Sequence, residues 1–207
     1  TGACIGILGQ IPESGDTELG LWDSYRMRIR RKRRLLRALR KSRNLRCVQN
    51  NTGRIRPGDI LLVCTFRNEQ IRLPYFLQYY RSLGVNHFLF IDNGSSDGAQ
   101  GYLSGMGDVS VWNARGSYKR ATFGVDWVNA LLRKYGHAHW CLVVDADELF
   151  VYPFCDTRPV RALTDWLDSS QIRSFSAMLL DVYPKGRIDE VPYQPGQDPL
   201  DIAHWFV

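Results

Sequence analysis

Trp140-Cys141-Leu142-Val143-Val144-Asp145-Ala146-Asp147-Glu148-Leu149-Phe150 is the stretch on which the fold turns. Five apolar residues run into three carboxylates, and an apolar pair closes the stretch. The Trp, Leu and Val run is β-prone and too short for a helix, so it predicts a buried strand. Asp145, Asp147 and Glu148 then stand at its C-terminal end. Open α/β sheets bind ligands outside the carboxyl ends of their strands. Three acids clustered there repel one another unless a cation or a proton intervenes. A hard divalent ion, magnesium or manganese, held by carboxylate oxygens is the expected solution. The plainer alternative is a strand end followed by a solvated acidic turn.

Working outward from this strand, an alternating pattern begins at Ile60. Ile60-Leu61-Leu62-Val63-Cys64-Thr65 reads as a buried strand, followed by the polar turn Phe66-Arg67-Asn68-Glu69. Leu73, Phe76, Leu77, Tyr80 and Leu83 repeat at helical spacing, with Pro74 in the first turn and Gly84 at the end. His87–Ile91 is a second strand, running into Asp92-Asn93-Gly94-Ser95-Ser96-Asp97-Gly98. A short helix at Gln100–Leu103 and a strand at Val109–Trp112 come next, and Ala121, Val125, Val128 and Leu132 form the core face of another helix. With the acid-tipped strand the order is βαβαβαβ, which builds an α/β fold with a mainly parallel sheet between helices. Beyond Pro153, Val160–Leu167 predicts a helix and Phe175–Leu180 a strand.

Upstream of Ile60 the composition changes. Residues 22–46 hold twelve Lys/Arg and a single acid, Asp23, which leaves fifteen bases against twenty acids elsewhere. The net charge of +6 therefore belongs to one segment. Within it Trp22, Tyr25, Ile29, Leu36 and Leu39 fall near one face of a basic amphipathic helix, with arginines over the rest. Such a helix suits an anionic membrane surface, an arm packed on the following domain, or nucleic acid. No aromatic stacking pattern or zinc-finger spacing supports the last, and no nucleic-acid partner is expected. Turn-rich residues 50–59 divide the chain into an N-terminal segment, 1–57, and an α/β domain, 58–207.

No stretch approaches the ~20 apolar residues of a membrane span, and no secretory signal is visible. The five cysteines are odd in number and lack CxxC pairing, and Cys64 and Cys141 sit in strand-like runs. They read as small core residues in a reducing compartment. The expected location is the cytoplasm, peripheral on the inner face of the plasma membrane.

Three polar clusters stand at the ends of three strands: Thr65 to Glu69, Asp92 to Asp97, and Asp145 to Glu148. A parallel sheet brings them to one rim. Taken singly, the Asp92–Gly98 turn is only a loop rich in capping residues, with Asp97 suited to an N-cap. Together they point to a nucleotide site. GxxxxGK[ST] and GxGxxG are both absent, which argues against a P-loop nucleotidase and a dinucleotide fold.

Thr65-Phe66-Arg67-Asn68-Glu69, Arg72-Leu73-Pro74-Tyr75-Phe76-Leu77, Leu83-Gly84-Val85, Ile91-Asp92-Asn93-Gly94-Ser95-Ser96-Asp97-Gly98 and Asp145-Ala146-Asp147-Glu148 resemble family 2-like glycosyltransferases of the GT-A fold. The similarity is to a bacterial branch with the pattern RNE…RLPxFL…IDNxSxDG…DxDE, and it covers roughly Ile60 to Phe150. The resemblance implies a nucleoside diphosphate sugar as donor, with Thr65, Arg67, Asn68, Glu69, Asp92, Asn93, Asp97 and Asp145 around it. Asn93 stands where relatives often carry a second aspartate, which leaves uridine and guanosine both open. The DxD-like motif maps onto Asp145 and Asp147, with Glu148 next, as metal ligands. Asp147 is the first choice for direct contact, and Asp145 reaches the ribose or a metal-bound water.

The physical case for a metal is charge, because the departing nucleoside diphosphate gains negative charge that a cation stabilises. Lys119 and Arg120 could add positive charge at the pyrophosphate, or merely begin a solvated helix. His137 and His139 enter at the opposite end of the strand and read as turn or packing residues. Inverting relatives use a downstream Asp or Glu as base. Asp181 is the best candidate here, Asp189 and Glu190 are weaker, and His204 is a weaker still metal ligand. Thr1 is not a methionine and Phe206-Val207 breaks off within an apolar run. The expectation is a chain cut at both ends, with the true base and the acceptor subdomain beyond Val207.

The sequence thus predicts a metal-dependent, inverting transferase acting on a saccharide or glycolipid acceptor in bacterial surface polysaccharide synthesis. Its rivals are a magnesium-dependent phosphohydrolase, disfavoured because there the acidic motif closes the first strand, and a non-catalytic sugar-nucleotide- or membrane-binding module.

Overall fold

The computed structural model describes residues 2–3, 21–116, 118–186 and 192–206. In chain order the elements are β1 (Gly2–Ala3), α1 (Leu21–Ser42), β2 (Leu45–Gln49), β3 (Leu61–Phe66), α2 (Leu73–Ser82), β4 (His87–Asp92) and α3 (Ala99–Leu103). They continue with β5 (Val109–Ala114), α4 (Val125–Tyr135), β6 (Cys141–Val143), α5 (Val160–Ser169), β7 (Leu180–Asp181), β8 (Tyr183–Pro184) and β9 (Ala203–Trp205). The main sheet has the order β2-β5-β4-β3-β6. β3 pairs in parallel with both β4 and β6, β4 in parallel with β5, and β2 closes one edge antiparallel to β5. The α/β class and the mostly parallel sheet are as expected from the sequence.

Period-two alternation explains the two faces of the sheet. Leu62, Cys64 and Phe66 of β3, with Phe88 and Phe90 of β4, pack against Leu73, Phe76, Leu77 and Tyr80 of α2 and Leu103 of α3. Leu61, Val63, Leu89 and Ile91 point the other way, onto Trp127 and Leu131 of α4. Strands buried on both sides read as continuous apolar runs, and β4 is buried at all six positions. β6 joins β3 on the side opposite β4, so the strand order reverses at β3 and four carboxyl ends share one rim.

Four expectations need correction. The basic helix ends at Ser42 rather than running to residue 46, and Leu45–Gln49 forms β2 instead. The N-terminal segment therefore contributes an edge strand to the domain's own sheet. Val125 is exposed, because Ala121 lies in a separate 3-10 turn over Lys119–Ala121. Thr122, Phe123 and Gly124, all with positive φ, break the helical register before α4 starts, and Trp127 takes the buried position. Finally, no strand spans Phe175–Leu180; only Leu180–Asp181 pairs, as β7 with β1.

Leu62 is fully buried between β3 and α2. Leu62→Ala is expected to lower unfolding free energy by about 2–5 kcal/mol in urea titrations. Gln78→Ala, on the exposed side of α2, should change it by less than about 0.5 kcal/mol.

Candidate functional site

Three loops leave the carboxyl rim of the sheet, and side-chain to backbone bonds hold each in place. After β3 the chain turns at Asn68, a non-glycine residue at φ 57°. Asn68 N–H donates to Ser95 Oγ at 2.9 Å, and Asn68 Oδ1 accepts from Ser96 N–H at 2.8 Å. Asn93 N–H donates to the Phe66 carbonyl at 2.9 Å. Asp97 joins the same two loops, accepting from Gln70 N–H at 2.7 Å and from Ala99 N–H, at the start of α3, at 3.0 Å. Asp92 is 1% exposed, and its Oδ1 accepts from both the N–H and the hydroxyl of Ser95, at 2.8 and 2.7 Å. Asn68, Asn93 and Asp97 thus clasp the loops after β3 and β4 to each other, and Asp92 braces the second loop from within. Asp97 accepts from the first residue of α3, but the N-cap position itself falls one residue later than read, at Gly98 with φ 92°.

The acidic turn after β6 is fixed differently. Glu148 Oε2 accepts from Asp145 N–H at 2.9 Å, and Glu148 N–H returns to the Asp145 carbonyl at 3.1 Å. The fully buried Tyr80 of α2 then pins the turn: its hydroxyl donates to the Glu148 carbonyl at 3.0 Å and accepts from Phe150 N–H at 3.0 Å. Burial pushes the Tyr80 phenol well above its ordinary pKa, so it keeps the proton it donates. Tyr79, its neighbour, donates to the Phe150 carbonyl at 2.8 Å. Sequence spacing identified Tyr80 only as a core position of a helix. Its hydroxyl was the missed signal, since a buried tyrosine O–H needs a partner.

Between these loops opens a cleft of about 230 Å³, lined by Thr65, Phe66, Arg67, Glu69, Asn93, Tyr118, Asp145, Ala146 and Asp147. Six of the residues predicted from the sequence therefore come together: Thr65, Arg67, Glu69, Asn93, Asp145 and Asp147. Tyr118 joins them from the segment after β5, where the sequence singles out Lys119 and Arg120 instead. Lys119 is exposed and is not among the lining residues. Gly124, at φ 81°, lets the chain pass close behind: a Cβ there would meet Tyr118 Cε2 at 3.0 Å and Thr65 at 3.4 Å. The Thr65 hydroxyl oxygen is buried without a partner in the protein.

The cleft is acidic, with three carboxylates against the single guanidinium of Arg67. Desolvation, then the nearby charges of Asp147 and Glu69, push the Asp145 carboxyl above its ordinary pKa although much of the side chain faces solvent. The same negative field adds to burial in raising the Cys64 thiol beneath it. Glu69 is ion-paired with Arg72.

Among the described residues no group of three or more His, Cys, Asp and Glu side chains is arranged to hold a metal ion. One Glu148 oxygen is engaged with the Asp145 N–H, and of the three acids Asp145 and Asp147 line the cleft. Asp145 and Asp147 nevertheless present hard oxygen donors into a polar cleft. That donor set suits a cation which completes its shell with water and phosphate oxygens.

Asp181, read as the best base, stands exposed in β7 opposite Gly2 and does not line the cleft. Asp189 and Glu190 lie outside the described residues, as do the side chains of Arg120 and His204. His139 packs at the other end of β6, bonded through Nδ1 to the Asp59 carbonyl at 2.9 Å, in keeping with a turn role. Cys64 is buried as read, Cys141 only half-buried, and both are free thiols. No family model matches the chain, and comparison with curated proteins finds no match.

Two outcomes follow from this geometry. Tyr80→Phe strips a buried carbonyl and a buried N–H of their common partner, and is expected to destabilise the fold by about 1–3 kcal/mol in urea unfolding. Asp145, with its pKa raised in the folded state, opposes folding once ionised, and that penalty disappears as the pH falls through its folded pKa. Without added metal, Asp145→Asn should therefore raise Tm at pH 7, and the gain should shrink steadily under acidic conditions in scanning calorimetry.

Proposed function

We propose that the cleft binds a nucleoside diphosphate sugar together with a divalent cation, and that the chain is the donor-binding part of a glycosyltransferase. The observation that carries this reading is the charge of the cleft. Glu69 is paired with Arg72, which leaves Asp145 and Asp147 against Arg67 among the described lining residues, so a diphosphate entering alone meets net repulsion. A magnesium or manganese ion held by Asp145 and Asp147 would reverse that sign. When bound, the ion would supply Lewis-acid stabilisation of the leaving diphosphate.

The protein's own groups then divide the work. Arg67 is the basic residue among the described lining residues and suits the diphosphate or the ribose edge. Asn93 both donates and accepts hydrogen bonds, as recognition of a base requires. The Thr65 hydroxyl, buried without a protein partner, is a group that a bound ligand could satisfy. Tyr118 offers an aromatic face to a sugar or base ring. Tyr80, through the Glu148 and Phe150 backbone, sets the position of the two metal-binding carboxylates without touching the ligand.

Transfer is to a saccharide or glycolipid hydroxyl with inversion, in the reading that the sequence resemblance supports. The resemblance over Ile60 to Phe150 and the charge of the cleft, which share Arg67, Asp145 and Asp147, both support the donor site. The acceptor rests on the resemblance alone, and no residue is assigned here as the base.

Calorimetric titration with UDP and with GDP, each with and without manganese, tests the reading. One of the two should bind with manganese present, and omission of the metal should weaken it by roughly tenfold or more. Asp147→Asn should abolish the metal dependence. Absence of binding by both nucleotides with manganese present would sink the assignment.

A further inference from the structure

Helix α1 carries the densest charge of the chain, and one of its arginines is turned inward. Arg37 Nε donates to Asp126 Oδ1 at 2.9 Å, while the Thr122 hydroxyl bonds the other oxygen of Asp126 at 3.2 Å. Asp126 is 2% exposed. A carboxylate buried to that extent requires a cationic or hydrogen-bonding partner, and this pair joins α1 to the start of α4. Among the described residues no other basic side chain of α1 is ion-paired.

Docking on α4 leaves apolar side chains in water. Trp22, Tyr25, Leu36 and Leu39 are 78, 56, 55 and 45% exposed. Their spacing sets them along one face, about a third of the helix circumference. Arg26, Arg28, Arg33 and Arg40 are exposed as well. An arm whose apolar stripe packed on the domain would bury these four residues. Nucleic acid would engage the arginines and give the leucines nothing. An anionic bilayer interface satisfies both sets: Trp, Tyr and Leu enter the boundary between headgroups and acyl chains, and guanidinium groups meet the phosphates.

The helix also ends toward the carboxyl rim of the sheet. Leu45, three residues beyond Ser42, pairs with Ala114 at the carboxyl end of β5, on the rim where the site opens.

We propose that α1 is an interfacial helix, in which Arg37 locked on Asp126 holds it to the fold while Trp22, Tyr25, Leu36 and Leu39 enter an anionic lipid surface. Donor binding plays no part in this, so the two readings stand or fall separately.

The test is flotation of the full chain with phosphatidylcholine vesicles, with or without about a third phosphatidylglycerol. Wild type should partition onto the anionic vesicles at least about tenfold better. The triple variant Trp22→Ser, Leu36→Ser, Leu39→Ser should lose at least about tenfold of that binding with an unchanged urea midpoint. Brominated acyl chains should quench tryptophan fluorescence, and the single change Trp22→Phe should remove part of the quenching even if the triple variant folds poorly. The proposal is overturned if wild type ignores anionic vesicles, or if a correctly folded triple variant binds them as wild type does. Tighter binding to duplex or single-stranded DNA, indifferent to the triple change, overturns it equally.

Discussion

The hydroxyl of Tyr80 ties the hydrophobic core to the chemistry of the rim. It stands on a helix that Phe76 and Leu77 press onto the sheet, and it grips the backbone on either side of Leu149. Carboxylates placed close together push the turn that bears them apart. Bonds from the Tyr80 and Tyr79 hydroxyls, from the Glu148 N–H to the Asp145 carbonyl, and from the Asp145 N–H to Glu148 Oε2 hold that turn closed. The register of α2 on β3 and β4 therefore sets the height at which Asp145 and Asp147 stand.

Where the sequence was legible, the physics was local or periodic. Runs such as Leu61–Phe66 and His87–Asp92 face apolar surroundings on both sides, so their composition alone marks them as interior parallel strands. The three polar clusters were visible because each follows such a run. β2 was not visible: Leu45-Arg46-Cys47-Val48-Gln49 is an edge strand with three exposed positions, and it follows a charged helix without a break in composition. The roles within the clusters were also hidden. Asp92 and Asn93 are adjacent, yet one is sealed against Ser95 and the other faces the cleft. Tyr118 lay in an unmarked loop, and only the positive-φ turn through Gly124 brings it against Thr65.

Twelve of the twenty-seven basic residues lie in residues 22–46, and the Arg37–Asp126 pair joins α1 to α4. That pair sits three residues from Phe123, whose ring meets Tyr118 edge-on at 5.8 Å. The arm and the cleft are thus neighbours through the start of α4, although they serve opposite signs of charge.

The clasp between the loops after β3 and β4 has a thermodynamic consequence. Asn68, Asp92 and Asp97 fix that wall with bonds complete within the protein, so a ligand meets a surface whose conformational entropy was lost on folding. Little remains to be lost on binding there. The turn that bears Asp145 and Asp147 is pinned as well, by Tyr79 and Tyr80, so both of these walls are set before a ligand arrives. Tyr118, partly exposed on the segment after β5, is the wall left to adapt, and differences between ligands register mainly there.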